Sequence, residues 1–76
     1  MDVLEFVEYI ESIGFKNKSN NGSYYIYKFY RINLYEYIYD FYNGSKWYYY
    51  DYNDLRSIEK YFKRELRSIK LRKILG

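Results

Sequence analysis

Two concentrations of reactive or adhesive side chains stand out in this sequence, one cationic and one phenolic. Arg56, Lys60, Lys63, Arg67 and Lys70 recur at steps of four, three, four and three. That spacing lines side chains along one side of an α-helix. A ridge of regularly spaced cations suits a phosphate backbone or an acidic protein surface, and it equally suits a plain solvated helix face. The second concentration is YYIYKFYRINLYEYIYDFYNGSKWYYYDY, residues 24–52, which holds twelve of the 14 tyrosines together with Phe29, Phe41 and Trp47. Tyrosine and tryptophan supply large, rigid contact area at low entropic cost. Tyr39, Trp47, Tyr48, Tyr49 and Tyr50 are the expected partner-binding residues.

Missing residue types narrow the chemistry. The chain contains no His and no Cys. The usual general base at neutral pH, the commonest transition-metal ligands, a thiolate nucleophile and disulfides all go with them. Its serines have no base to activate them. The glycines, at 14, 22, 44 and 76, are scattered and form no phosphate-cradling loop. Glu36, Asp40 and Asp51 could serve as an acid and base pair, but they fall on turns or among tyrosines, where a solvated strand position accounts for them. The expectation is a protein that is not an enzyme and uses no cofactor and no metal.

The elements that position these side chains follow from hydrophobic spacing. Val3, Leu4, Phe6, Val7, Ile10 and Ile13 recur with helical period, with Asp2 placed to cap the start, Glu5 three residues on, and Gly14 at the end. The exposed side of that helix carries Asp2, Glu5, Glu8 and Glu11 and no base. Phe15 is expected to fold back under the sheet. KNKSNNGS, residues 16–23, reads as a polar loop. From 24 onward no helical stripe can be drawn, and tyrosine favours strands. Strands are expected near 24–29 and 31–37, with no marked turn between them.

Asn43-Gly44 is a hairpin signal. With those two residues as the turn, Asp40 faces Trp47, Tyr39 faces Tyr48 and Ile38 faces Tyr49. Tyr39, Phe41, Tyr48 and Tyr50 then share one face, and Ile38, Tyr42, Trp47 and Tyr49 share the other. Residues 53–75 read as one long helix, capped by Asp51 or Asn53. Its core stripe is Leu55, Ile58, Phe62, Leu66 and Ile69, while Leu71, Ile74 and Leu75 fall on other sides. The fold expected is a single α+β domain spanning 1–76: helix, antiparallel meander of three to four strands, long C-terminal helix, with both helices on one sheet face. The opposite aromatic set is left as an outer face, where a phenol packs its ring on neighbours and keeps its hydroxyl wet.

Charge is divided unevenly along the chain. Residues 52–76 hold eight bases and three acids, and residues 1–51 hold five bases and seven acids. The 76 residues allow one core. The opening Met-Asp-Val-Leu-Glu is acidic where a secretory leader is basic, and no apolar run approaches a bilayer span. A cytoplasmic protein with no membrane partner is expected, and Asn17-Lys18-Ser19, Asn21-Gly22-Ser23 and Asn43-Gly44-Ser45 are turn chemistry rather than glycosylation sites. Ala, Pro, Thr and Gln are also absent, while Tyr, Ile, Lys, Asn and Phe dominate. Their codons are AT-rich, which points to a low-GC genome.

FYNGSKWYYYDYNDL followed by IEKYFKRELRSIKLRKIL resembles small proteins of low-GC bacteriophages, through Asn43, Gly44, Trp47 and the stretch Leu66 to Leu71. Those proteins run helix, tyrosine-rich hairpins with Asn-Gly before a Trp, then a basic helix. They carry no assigned activity. The resemblance implies a setting, the cytoplasm of an infected host, and a mode of action by binding, as host-takeover factors or inhibitors of bacterial defence. A host or phage protein is therefore the first expected partner. Nucleic acid held by the basic ridge is the second. A homo-oligomer joined through the sheet face or the apolar C-terminal tail is the third.

Overall fold

The computed structural model describes residues 2–75, with side chains through Ile69. The first helix, α1 (Val3–Ile13), begins where the Asp2 carboxylate accepts the Glu5 N–H at 2.8 Å. It ends at Gly14, whose φ of +134° lies outside the range L side chains favour. The Gly14 N–H then reaches the Glu11 carbonyl at 3.1 Å, and the Phe15 N–H reaches that of Ile10 at 3.1 Å. This paired closure satisfies two otherwise orphaned carbonyls and turns the chain sharply. It delivers Phe15 straight into the core, where it is buried. Glu5, Glu8 and Glu11 face solvent, while Phe6, Ile10 and Ile13 are buried.

Among the described residues the sheet has five strands, β1 (Lys16–Asn17), β2 (Tyr24–Tyr27), β3 (Tyr30–Leu34), β4 (Ile38–Tyr42) and β5 (Trp47–Asp51). They lie in sequence order, each antiparallel to the next. β1 falls inside the segment expected to be loop, so the strand count exceeds the expected three to four. The reason is local: polar side chains take over the backbone of residues 18–23. Ser19 Oγ accepts the N–H groups of Ser23 and Tyr24 at 2.9 and 3.1 Å, and Asn17 Oδ1 accepts that of Ser19 at 2.9 Å. The loop thus folds on itself, and Lys16 and Asn17 are free to pair with Ile26 and Tyr25.

The β2–β3 boundary, unmarked in the sequence, is a turn of Lys28 and Phe29 closed by the Tyr27–Tyr30 pair. Lys28 takes a positive φ of 54° without being Gly or Asn. Arg31 Nη1 reaches back to the Lys28 and Tyr30 carbonyls, at 2.9 Å each, and ties the turn down. At β4–β5 the expected turn moves by one residue. Asn43 pairs across to Lys46 (N–H to carbonyl, 3.1 Å), which leaves Gly44 and Ser45 as the turn, with Gly44 at φ +98°. The Asn43 side chain captures the Ser45 and Lys46 N–H groups at 2.8 Å each instead of supplying a left-handed residue. Register therefore becomes Tyr42–Trp47, Phe41–Tyr48, Tyr39–Tyr50 and Ile38–Asp51, two residues away from the expected pairing. Because side chains alternate with period two, the membership of each face is unchanged.

The C-terminal segment is two helices rather than the single one expected, α2 (Arg56–Glu59) and α3 (Lys63–Leu75). Asp54, not Asp51 or Asn53, serves the start of α2, accepting the Ser57 N–H at 3.3 Å and the Ser57 hydroxyl at 3.0 Å. Between the helices the chain tightens, with the Tyr61 N–H on the Ile58 carbonyl at 3.0 Å and that of Phe62 on Glu59 at 2.9 Å. Two adjacent rings explain the interruption. Tyr61 packs on Phe41 and Tyr30 with centroids 5.3 and 6.0 Å apart, and Phe62 packs on the same two at 6.0 and 4.7 Å. In an unbroken helix neighbouring side chains diverge by about 100° and could not share that target.

One core results. Phe6, Ile10, Ile13 and Phe15 meet Tyr25, Ile32, Tyr39 and Phe41 of the sheet, and Tyr52, Ile58 and Phe62 close over them. All the buried strand residues belong to one sheet face. The helices cover that face and leave the other open.

Candidate recognition surface

The antiparallel registers assemble the open face into rows. Lys16, Ile26, Arg31, Tyr42 and Trp47 form one row across all five strands. Tyr24, Asn33, Asp40 and Tyr49 form the next, and Ile38 and Asp51 begin a third. Trp47 is 50% exposed and Tyr49 74% exposed. The rings of Tyr42 and Trp47 pack at 5.1 Å, so this end of the face is a pre-formed aromatic pair rather than two loose side chains. Tyr35, beyond β3, donates its hydroxyl to Asp40 Oδ2 at 3.2 Å and extends the face toward the β3–β4 turn, where Tyr37 is 75% exposed.

Of the five tyrosine and tryptophan positions expected to bind a partner, only Trp47 and Tyr49 lie on this face. Tyr39 is fully buried, its ring 4.4 Å from Phe6 and its hydroxyl donating to the Asp54 carbonyl at 2.5 Å. Tyr50 is half-buried beside it, with ring centroids 5.8 Å apart. Tyr48 also points to the core side, stacked on Tyr50, and is exposed only because β5 ends the sheet. Half-buried Tyr24 and Ile26 and exposed Tyr37 also belong to this surface but were not among the expected residues. Strict alternation from Trp47 and Tyr49 through the strand pairings identifies the first two once the turns are placed.

The basic residues do not form one continuous ridge. Arg56 lies on α2, Lys60 in the break, and Lys63 and Arg67 on α3, all exposed. The side chain of Lys70, like the apolar tail residues Leu71, Ile74 and Leu75, lies outside the described residues. Lys60 Nζ sits 5.4 Å from the centre of the Tyr61 ring. Lys63 and Arg67 line an open groove of roughly 310 Å³ together with Glu59 and Leu66, so an acid is built into the basic surface.

The phenols are held neutral where they are buried. Desolvation drives Tyr39 far above the ordinary tyrosine range, and Asp54 and Tyr50 add to it. Tyr9 is pushed up to about 12, chiefly by burial and then by Glu59. Tyr35 is raised by the Asp40 carboxylate beside it. None of these shifts creates a nucleophilic tyrosinate, and each favours the neutral hydrogen-bond donor. Among the described residues no cluster of acidic side chains could hold a metal ion, and no helix is long and apolar enough to cross a membrane. Comparison with protein-family models, with curated proteins and with solved structures returns no match.

Proposed function

We propose that this chain is a non-enzymatic binding module that acts by occupying a protein surface, in the setting of a small phage protein directed at a bacterial host. The observation that supports it most is the outer sheet face, which the chain's own helices leave bare while Tyr42, Trp47 and Tyr49 stand on it in fixed register. A face this rich in large rings exceeds what a solvated strand surface needs. Charged residues are interleaved with the rings, Arg31 paired across from Tyr42 and Asp40 across from Tyr49, with Lys16 and Asp51 on the two edge strands.

A photo-crosslinking residue placed at Tyr42 or at Tyr37 is expected to capture the same protein from a low-GC bacterial lysate. Ile26→Glu, on the same face, is expected to abolish that capture. Capture that ignores Ile26→Glu, or that occurs only from exposed Glu8 on α1, overturns the proposal. Exposure of Arg56, Lys60, Lys63 and Arg67 supports a second reading, contact with nucleic acid. That reading requires retention on single-stranded DNA that falls steeply with salt and disappears in Lys63→Glu with Arg67→Glu. Absence of retention at low salt removes it.

A further inference from the structure

The two edges of the sheet differ. β1 is two residues long, begins with Lys16 and is followed by Lys18, a short, lysine-bearing edge of the kind that resists further pairing. β5 is five residues long, WYYYD, and among the described residues it ends the sheet with no strand beyond it. Its free backbone groups can be assigned from the ladder. The Asn43–Lys46 hydrogen bond makes that pair a bonded one. Since bonded and non-bonded pairs alternate in antiparallel sheets, Tyr48 and Tyr50 turn their N–H and C=O groups toward β4. The bond from the Tyr35 N–H to the Ile38 carbonyl independently fixes the same phase on the other side of β4. Trp47, Tyr49 and Asp51 therefore direct their backbone groups outward, where the Asp51 carbonyl already receives the Asp54 N–H at 3.0 Å.

We propose that this open edge of β5 pairs with β5 of a second copy, antiparallel and centred on Tyr49. The centre is dictated by the strand itself. Tyr49 is its middle residue and carries outward backbone groups, so a two-fold axis there pairs Tyr49 with Tyr49 and Trp47 with Asp51 over the full strand. Charge is compatible with the same arrangement. β5 is preceded by Lys46 and ends in Asp51, both exposed, so antiparallel pairing brings the basic end of one copy near the acidic end of the other. The two side chains stand on opposite sides of the sheet. The two Asp51 carboxylates stay about 13 Å apart along the strands, beyond effective repulsion at physiological salt. Pairing also lays Tyr48, 38% exposed on the core side, against Tyr50 of the second copy. The outer faces of both copies become one continuous surface.

The test is sedimentation of the wild type across micromolar to millimolar concentration, alongside Tyr49→Pro, Tyr49→Lys and Tyr49→Cys. The wild type is expected to dimerise. Proline at 49 costs no bond to β4, because that N–H points outward, so Tyr49→Pro is expected to keep the wild-type circular dichroism and lose the dimer. Tyr49→Lys places two cations on the axis and is expected to do the same, which guards against misfolding of the proline variant. In a bonded pair the Cα atoms lie about 5.5 Å apart, within disulfide reach, so Tyr49→Cys is expected to oxidise to a covalent dimer. Ile26→Glu is expected to leave the dimer intact, which separates this edge from the outer-face proposal. A wild type that stays monomeric, a dimer that survives both Tyr49→Pro and Tyr49→Lys, or a monomer whose β5 edge takes up an extended peptide of another protein overturns the proposal.

Discussion

The Tyr39 hydroxyl donates to the main-chain carbonyl of Asp54 at 2.5 Å, joining the middle of the sheet to the approach of α2 from inside the core. Tyr39 is fully buried and its ring lies against Phe6 and Tyr52. The same position of Asp54 lets its carboxylate serve Ser57 at the start of α2. One phenol thus couples strand, helix start and core.

Tyr39→Phe keeps the ring and strands the Asp54 carbonyl. A loss of about 1–2 kcal/mol is expected, the cost of an orphaned buried acceptor. Urea unfolding measures it, and amide exchange at Ser57 should rise with it as the helix start loosens. A neutral Tyr39→Phe would mean that water reaches the carbonyl.

Alkaline pH should unfold the chain through these same groups. Tyr9 titrates at about 12 in the fold against 10.0 for a free phenol, burial being the main cause. Tyr39 is raised further, again mainly by burial. Above pH 10 the unfolded chain therefore holds fewer protons than the folded one, and stability falls as pH rises. Stability is fully present below pH 10 and drains away from there through about 12, with Tyr39 extending the loss. Tyrosinate absorbance followed beside circular dichroism checks this. Ionisation of every phenol before any loss of structure would contradict it.

Two glycines are expected to resist substitution for two reasons each. Gly14 has φ +134°, and a Cβ there meets the Tyr27 ring at 2.6 Å; Gly44 has φ +98°, and its Cβ meets Phe29 at 2.6 Å. Gly14→Ala should cost about 2–4 kcal/mol, left-handed strain plus overpacking. Gly22, at φ +71° with nothing closer than the Asn17 side chain at 3.7 Å, isolates the strain alone. Gly22→Ala should cost about 1–2 kcal/mol. Equal losses at 14 and 22 would show that the Tyr27 ring simply moves aside.

These particulars also mark what the sequence reveals unaided. Asp2, Gly14 and the burial of Phe15 are legible because helix ends obey short-range rules. The sides taken by Tyr39, Phe41, Tyr48 and Tyr50 are legible because alternation survives a register error of two. The site was less so: whether Tyr39 or Tyr49 meets solvent depends on which face the helices cover, and both faces are aromatic. The break at Lys60–Phe62 has no Gly or Pro to announce it. It arises from Tyr61 and Phe62 competing for the same sheet residues, a tertiary demand that no helical periodicity encodes. β1 stayed hidden because its pairing depends on serine and asparagine side chains closing the next loop.

The assignment of faces gives the sharpest contrast. Phe41 and Tyr49 lie on neighbouring strands, one fully buried and the other 74% exposed. Phe41 contacts Tyr30, Tyr61 and Phe62, so Phe41→Ala should cost about 3–5 kcal/mol through a cavity none of them can fill. Tyr49→Ala removes only a cross-strand contact on the open face and should cost less than about 1 kcal/mol. Urea unfolding at low protein concentration, where association does not contribute, gives both numbers. A large loss at Tyr49 in the monomer would mean that the outer rings stabilise the fold itself, and the surface proposed for a partner would then be structural.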